Sequence, residues 1–243
     1  MCVLALAWRA HPRWRLVLAA NRDELHTRPA AALARWTEDP QLLAGRDLAS
    51  GGTWLGVSER GRLAVVTNRH TGGPADPAAP SRGLLLTDLL TDPLGSGHPP
   101  PDILSNYNPF NLITIAEDQA VFSSNHPQAE VRDLSPGLYG LSNATLDTPW
   151  TKTERLKTAV AAWLRQDEAE PDTLLEVLAD GRGVLDPQNP AAAPLFIRNR
   201  IYGSRCSTVI AIDAQGVGLI VERRFTSEAE PNGETRIAFD WPG

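Results

Sequence analysis

At 243 residues, with 42% hydrophobic and 21% charged side chains, the chain is long enough to bury a full core as one large domain or two small ones. Its net charge of −6, with arginines scattered among acids, excludes a nucleic-acid partner held by bulk electrostatics. Two cysteines build no disulfide framework, and five dispersed histidines lack ligand spacing, so a reducing cytoplasm is expected and a dedicated metal site is not.

The chain opens on a short apolar run, Cys2-Val3-Leu4-Ala5-Leu6-Ala7-Trp8. Arg9, His11, Arg13 and Arg15 follow that run rather than precede it, the wrong order for a signal peptide, and no stretch is long enough to span a membrane. Residues 2–8 and 14–20 read as a β-hairpin turning at 9–13. That pairing sets Cys2 opposite residues 20–22, so Asn21-Arg22-Asp23-Glu24 returns to its mouth.

Residues 53–57 and 62–68 form a second predicted hairpin around Ser58-Glu59-Arg60-Gly61, and 71–80 form a Gly/Pro/Ala loop. Residues 81–91 read as a helix capped by Ser81, and the proline-rich stretch 92–102 as irregular. Strands are predicted at 111–116 and 120–124, joined by a turn at 117–119, and at 137–141. Thr148-Pro149 is expected to open a helix whose stripe is Leu156, Val160, Trp163 and Leu164. A short helix at 172–179 and strands at 203–212, 216–225 and 235–241 complete the chain. Hairpins rather than βαβ crossovers predict an α+β fold of antiparallel sheets with helices on their outer faces. No linker divides the chain, so residues 1–243 are expected to form a single domain.

The chemistry centres on Cys2. A cysteine after Met1 is small enough for the methionine to be removed, which leaves a thiol and an α-amine on one residue. With ordinary pKa values of about 8.5 and about 8, the amine can take the thiol's proton. Such a nucleophile also needs a group to orient the amine and donors for an oxyanion. Asp23 is placed to hold the amine or polarise the thiol; alternatively, Asp23 and Asn21 close a strand end as turn residues. Arg22 and Glu24 pair with each other or with surface neighbours by default. Asn68 and Asn143 each follow a strand, where they either present an amide to a site or terminate the strand. Arg205, at the start of an apolar strand, needs an acceptor such as Asp23 or a bound anion. Cys206 reads as core. The seven tryptophans, Trp54 among them, are divided between core and a cleft for a flat or lipidic ligand.

Cys2, Asn21-Arg22-Asp23-Glu24, Gly51-Gly52-Thr53-Trp54-Leu55-Gly56, Val66-Thr67-Asn68, Gly140-Leu141-Ser142-Asn143 and Tyr202-Gly203-Ser204-Arg205 with Ser207-Thr208 occur in order over nearly the whole chain. This pattern resembles the NRDE-motif family, also called the transport and Golgi organisation protein 2 family. That family is similar to cysteine-type N-terminal-nucleophile hydrolases, notably the choloylglycine and penicillin V acylases. The resemblance implies a four-layer αββα sandwich. It implies Cys2 as nucleophile acting on a non-peptide amide or acyl bond with no required cofactor, and Asp23 against its amine or thiol. It further implies Asn68 and Asn143 at the oxyanion hole, Arg205 behind the thiolate, and Asn21, Arg22, Glu24 and Trp54 around a small-molecule ligand. The acylases carry an arginine a few residues before the aspartate, where this chain has Ala19 and Ala20. The alternative implied by the family is a non-catalytic carrier of haem, a lipid or acyl-CoA in the same cleft.

Overall fold

The computed structural model describes residues 2–69, 71, 73–92, 95–116, 118–166, 170–186 and 188–242. The first half of the chain forms strands β1 (Val3–Trp8), β2 (Trp14–Leu25), β3 (Ala30–Arg35), β4 (Leu42–Asp47), β5 (Leu55–Ser58) and β6 (Arg62–Asn68), then helix α1 (Arg82–Thr91). There follow β7 (Phe110–Ala116), β8 (Gln119–Ser124), β9 (Glu130–Asp133), β10 (Gly137–Leu141), α2 (Thr151–Leu164), α3 (Leu174–Leu178), β11 (Tyr202–Asp213), β12 (Val217–Phe225) and β13 (Pro231–Asp240). They fall into two units.

The first unit comprises Met1–Thr27, Pro136–Ser142 and Leu146–Asp240. Its antiparallel sheet has the order β10-β1-β2-β11-β12-β13. β1 is buried at every position, which is why it reads as a continuous apolar run rather than an alternation. Val3, Ala5, Ala7, Val17, Ala19, Val209 and Ala211 form one face, and Leu156, Val160 and Trp163 of α2 and Leu174, Leu175 and Leu178 of α3 pack on it. Trp14 lies against Trp163 at a centroid distance of 5.5 Å. Small residues on β1 and β2 leave the room that the leucines and the indole fill.

The second unit comprises Arg28–Ser135, Asn143–Thr145 and Trp241–Gly243. Its antiparallel sheet follows sequence order, β3-β4-β5-β6-β7-β8-β9. Leu85, Leu86 and Leu90 of α1 bury against Trp36, Leu42, Ala44, Ala64, Phe110 and Leu112. As expected, Ser81 caps α1, its Oγ accepting the Leu84 amide at 3.4 Å.

Several boundaries differ from expectation. β2 runs on through Leu25, because β11 pairs beside it and supplies partners for the polar run. β3, β4 and β9 were not expected. Ala30–Arg35 is mostly alanine, Leu42–Asp47 contains an alanine and a glycine, and Glu130–Asp133 is a short, largely exposed edge, so none carries β-branched enrichment. α2 begins at Thr151 rather than in the Thr148-Pro149 turn, and Trp150 is its extended N-cap. Within the irregular 92–102 stretch, Pro101 opens a 3-10 helix that runs to Asn106. Met1, Gly72 of the 71–80 loop, Pro93 and Leu94 of the 92–102 stretch and Glu117 of the third turn lie outside the described residues. No helix among the described residues is long and apolar enough to cross a membrane.

Candidate active site

The β1–β2 register pairs Val3 with Asn21 and Leu4 with Ala20. One further step sets Cys2 across from Arg22. Directly opposed residues of an antiparallel pair share a face. Cys2 and Arg22 therefore lie on one side of the sheet, and Asn21 and Asp23 on the side that carries α2 and α3. β10 flanks β1 with Leu4 against Leu141, and just beyond it the Ser142 hydroxyl donates to the Cys2 carbonyl at 2.6 Å. Cys2 is held by its backbone at the sheet end while its side chain stays partly exposed.

Asn21 is 1% exposed, and its amide is fully engaged inside the unit. Nδ2 donates to the carbonyls of Leu178 and Leu195, both at 2.8 Å, and Oδ1 accepts from Ser207 Oγ at 2.6 Å. This residue, grouped with the binding residues on sequence grounds, ties the end of α3 and the segment before β11 to the sheet.

Asp23 is also buried. Its Oδ1 accepts from Ser204 Oγ at 2.6 Å, and its carbonyl accepts from the Tyr202 hydroxyl at 2.8 Å. Burial pushes the Asp23 carboxyl upward; Lys152, the Ser204 hydrogen bond and Arg22 act against it. Lys152, in the first turn of α2, is 1% exposed. Burial pushes its ammonium downward, and Asp23 and Cys2 oppose that shift. Its Nζ has no hydrogen-bond partner among the described residues and lies 5.7 Å from the centre of the Trp150 ring. Lys152 went unnoticed in the sequence, although it stands four residues before Leu156 on the stripe that Leu156 and Val160 continue.

Arg22 is 6% exposed, so it lies in the interior rather than on the surface expected of it. It stands opposite Cys206. The Cys206 thiol is pushed well above its ordinary range by burial and by Glu222, against the pull of Arg22. Arg205 is the extra residue of a bulge between Ser204 and Cys206. It donates from Nη1 to the carbonyls of Leu25 at 2.9 Å and His26 at 3.2 Å, while its neighbour Ser204 reaches the Asp23 carboxylate. Glu24 is half-buried and accepts the Leu25 amide at 2.8 Å.

The second unit holds the remaining sequence-selected residues. Asn143 is buried and donates from Nδ2 to the Asn68 carbonyl at 2.7 Å, whereas the Asn68 side chain is exposed. Asn111, fully buried on β7, steadies the same segment by donating to the Ala144 carbonyl at 2.8 Å. Trp54 is half-buried, and its carbonyl accepts the Val66 amide at 3.0 Å. The glycines ahead of it have a packing reason: a Cβ on Gly52 would lie 2.2 Å from the Gly83 carbonyl carbon, so only glycine lets this loop reach the start of α1. Among the described residues no three His, Cys, Asp or Glu side chains gather as a metal site.

The first unit therefore gathers a thiol on the residue that leads into β1, a buried carboxylate on β2 and a buried ammonium on α2. These are the residue types that thiol-nucleophile chemistry draws on. The fold has known counterparts. Penicillin V acylase from Agrobacterium tumefaciens superposes with a TM-score of 0.55 at 12% identity, over 98% of this chain and 86% of that one. The Caenorhabditis elegans ortholog of N-acylethanolamine-hydrolyzing acid amidase gives 0.53 at 12% identity, over 86% and 92%. The fold is that of the N-terminal-nucleophile hydrolases, α+β and of the αββα class. In sequence, the Transport and Golgi organisation 2 family model matches residues 1–227, and the chain belongs to that family. The Bos taurus Transport and Golgi organization protein 2 homolog is 35% identical over 270 residues, covering 97% of both chains.

Proposed function

We propose that this protein is a cysteine-type N-terminal-nucleophile hydrolase-like enzyme that cleaves a non-peptide amide or related acyl bond through Cys2 once Met1 has been removed. The observation that carries this reading is the hairpin register that returns the buried Asp23 to the Cys2 end of the sheet. The two fold neighbours, named as a penicillin V acylase and as an N-acylethanolamine-hydrolyzing acid amidase, support an N-acyl amide as the substrate class.

In the first step the α-amine takes the thiol proton and Sγ attacks the substrate carbonyl carbon. The tetrahedral intermediate collapses as the C–N bond breaks, and the ammonium returns its proton to the leaving nitrogen. In the second step water loses a proton to the α-amine and attacks the thioester carbonyl. The C–S bond breaks, the carboxylic acid leaves and the thiol is restored. Asp23 orients the amine, Lys152 and Arg22 supply positive charge, and Ser142 fixes the Cys2 backbone.

The test is release of free amine from a panel of N-acyl amides, with Cys2→Ala as control. Cys2-dependent release supports the reading. Absence of turnover, together with saturable haem or acyl-CoA binding that survives Cys2→Ala, replaces it with a carrier.

A further inference from the structure

In the first unit Arg182 pairs with Asp180 at 2.7 Å, and Arg223 pairs with Glu176 at 2.7 Å and Glu234 at 2.9 Å. Arg198 and Arg200, in the segment that leads into β11, differ. Both are exposed, and their side chains form no hydrogen bond or ion pair among the described residues. With Asn199, Ser227, Glu228 and Ala229 they line a cavity of about 570 Å³. That is a volume in which small ligands bind.

Both walls of the cavity are tied down. Segment 197–204 is closed at its base, where the Ser204 amide donates to the Ile197 carbonyl at 3.0 Å and the Ile197 amide to Ser204 Oγ at 2.9 Å. Inside it, Asn199 Oδ1 accepts the amides of Ile201 at 3.0 Å and Tyr202 at 3.4 Å, and the Asn199 carbonyl lies 2.8 Å from His26 Nε2. The Arg198 guanidinium stands over the Phe196 ring at 5.6 Å, and Phe196 meets Phe225 edge-on at 4.6 Å. Phe225 ends β12 and leads into the opposite wall, residues 226–230. The Thr226 amide donates there to the Glu230 carbonyl at 2.9 Å, and its hydroxyl accepts the amides of Glu228 at 3.2 Å and Glu230 at 3.3 Å. Ala229 completes the turn at a φ of 66°, a left-handed conformation that costs a non-glycine residue free energy. The one carboxylate lining the cavity, Glu228, accepts from Ser227 Oγ at 2.8 Å, and that bond holds it below its ordinary range.

We propose that this cavity is a second ligand site, built from residues the amide chemistry does not use, and that it takes the phosphate group of a small phosphate monoester. Such a group carries about −1.5 to −2 charges at neutral pH and three acceptor oxygens, enough to engage two guanidiniums together. A carboxylate offers one charge and two oxygens, which one guanidinium satisfies in a bidentate pair, leaving the second arginine unused. Glu228 opposes the ligand by like charge and keeps the affinity modest.

The test titrates glycerol 3-phosphate into ¹⁵N-labelled full-length protein at pH 7.5, with acetate at equal ionic strength as the comparison. Flotation with vesicles containing phosphatidic acid separates a lipid headgroup from a soluble ester. Saturable amide shifts confined to residues 197–202 and 225–230, or saturable vesicle capture, are expected with the phosphate probes and not with acetate. Arg198→Gln and Arg200→Gln are each expected to weaken binding about fivefold, and Glu228→Gln to strengthen it about threefold, with circular dichroism unchanged. Cys2→Ala is expected to bind as the parent does. Saturation by either phosphate probe that is lost in the double arginine variant supports the site. Shifts that grow linearly without saturating, together with no vesicle capture, overturn it. So do an equal response to acetate, undiminished binding in the double variant, or binding lost in Cys2→Ala.

Discussion

Ser204 Oγ donates to Asp23 Oδ1 at 2.6 Å while accepting the Ile197 amide at 2.9 Å, so one hydroxyl links the candidate carboxylate to the segment that leads into β11. The bulge at Arg205 makes this contact, because it sets Ser204 directly across from Asp23. Removing the hydroxyl in Ser204→Ala leaves a buried amide and a buried carboxylate oxygen short of a partner. A loss of about 2 kcal/mol in urea unfolding is expected. The Asp23 carboxyl is expected to titrate higher than in the parent protein, since the Ser204 hydrogen bond is one of the interactions holding it down. Carboxyl ¹³C chemical shifts measured against pH check the direction.

Asn21 distinguishes a structural role from a binding role inside one tetrapeptide. Asn21→Leu strands the carbonyls of Leu178 and Leu195 and the Ser207 hydroxyl in a buried site. A cost of about 2–4 kcal/mol is expected, read from the denaturation midpoint. Amide exchange should accelerate first around α3 and residues 193–197, the segments the amide ties down. A variant of parental stability with altered ligand binding would reverse this assignment.

The pH dependence of stability follows from the direction of the Asp23 shift. Its carboxyl is raised above the ordinary 3.8 by burial, so the native state retains a proton that the unfolded chain has already released. Stability contributed by the neutral carboxyl is present below 3.8 and lost as pH rises through the folded value. Asp23→Asn abolishes that loss, so the variant should gain stability relative to the parent as pH rises across the window. Paired urea titrations from pH 3.5 to 7 measure the slope, and a difference falling with pH contradicts the assignment.

The first hairpin was legible because two apolar runs flank the polar turn Arg9–Arg13, and that alone brought Asp23 back towards Cys2. Its length was not, since four polar residues look like a strand end until the serines of β11 are known to stand beside them. β3 escaped notice because alanines signal no strand, and it is held by pairing with β4. Lys152 was hidden by its composition: a lysine in Thr151-Lys152-Thr153-Glu154 reads as a solvated helix start, although its phase with Leu156 and Val160 places it on the buried stripe. Gly140 belongs to the Gly140-Leu141-Ser142-Asn143 run, and its packing role shows only where α2 lies across it, a Cβ there standing 2.3 Å from Thr153 Cγ2.

The proposed function turns on Cys2 as a mature N-terminal nucleophile. The most direct measurement is the intact mass and peptide map of the native protein after incubation with an acylating β-lactone. The expected product is a chain lacking Met1 that carries one acyl group on Cys2, with none on Cys206 and none in Cys2→Ala. Retention of Met1, or a Cys2 that remains unmodified in the folded protein, would contradict it.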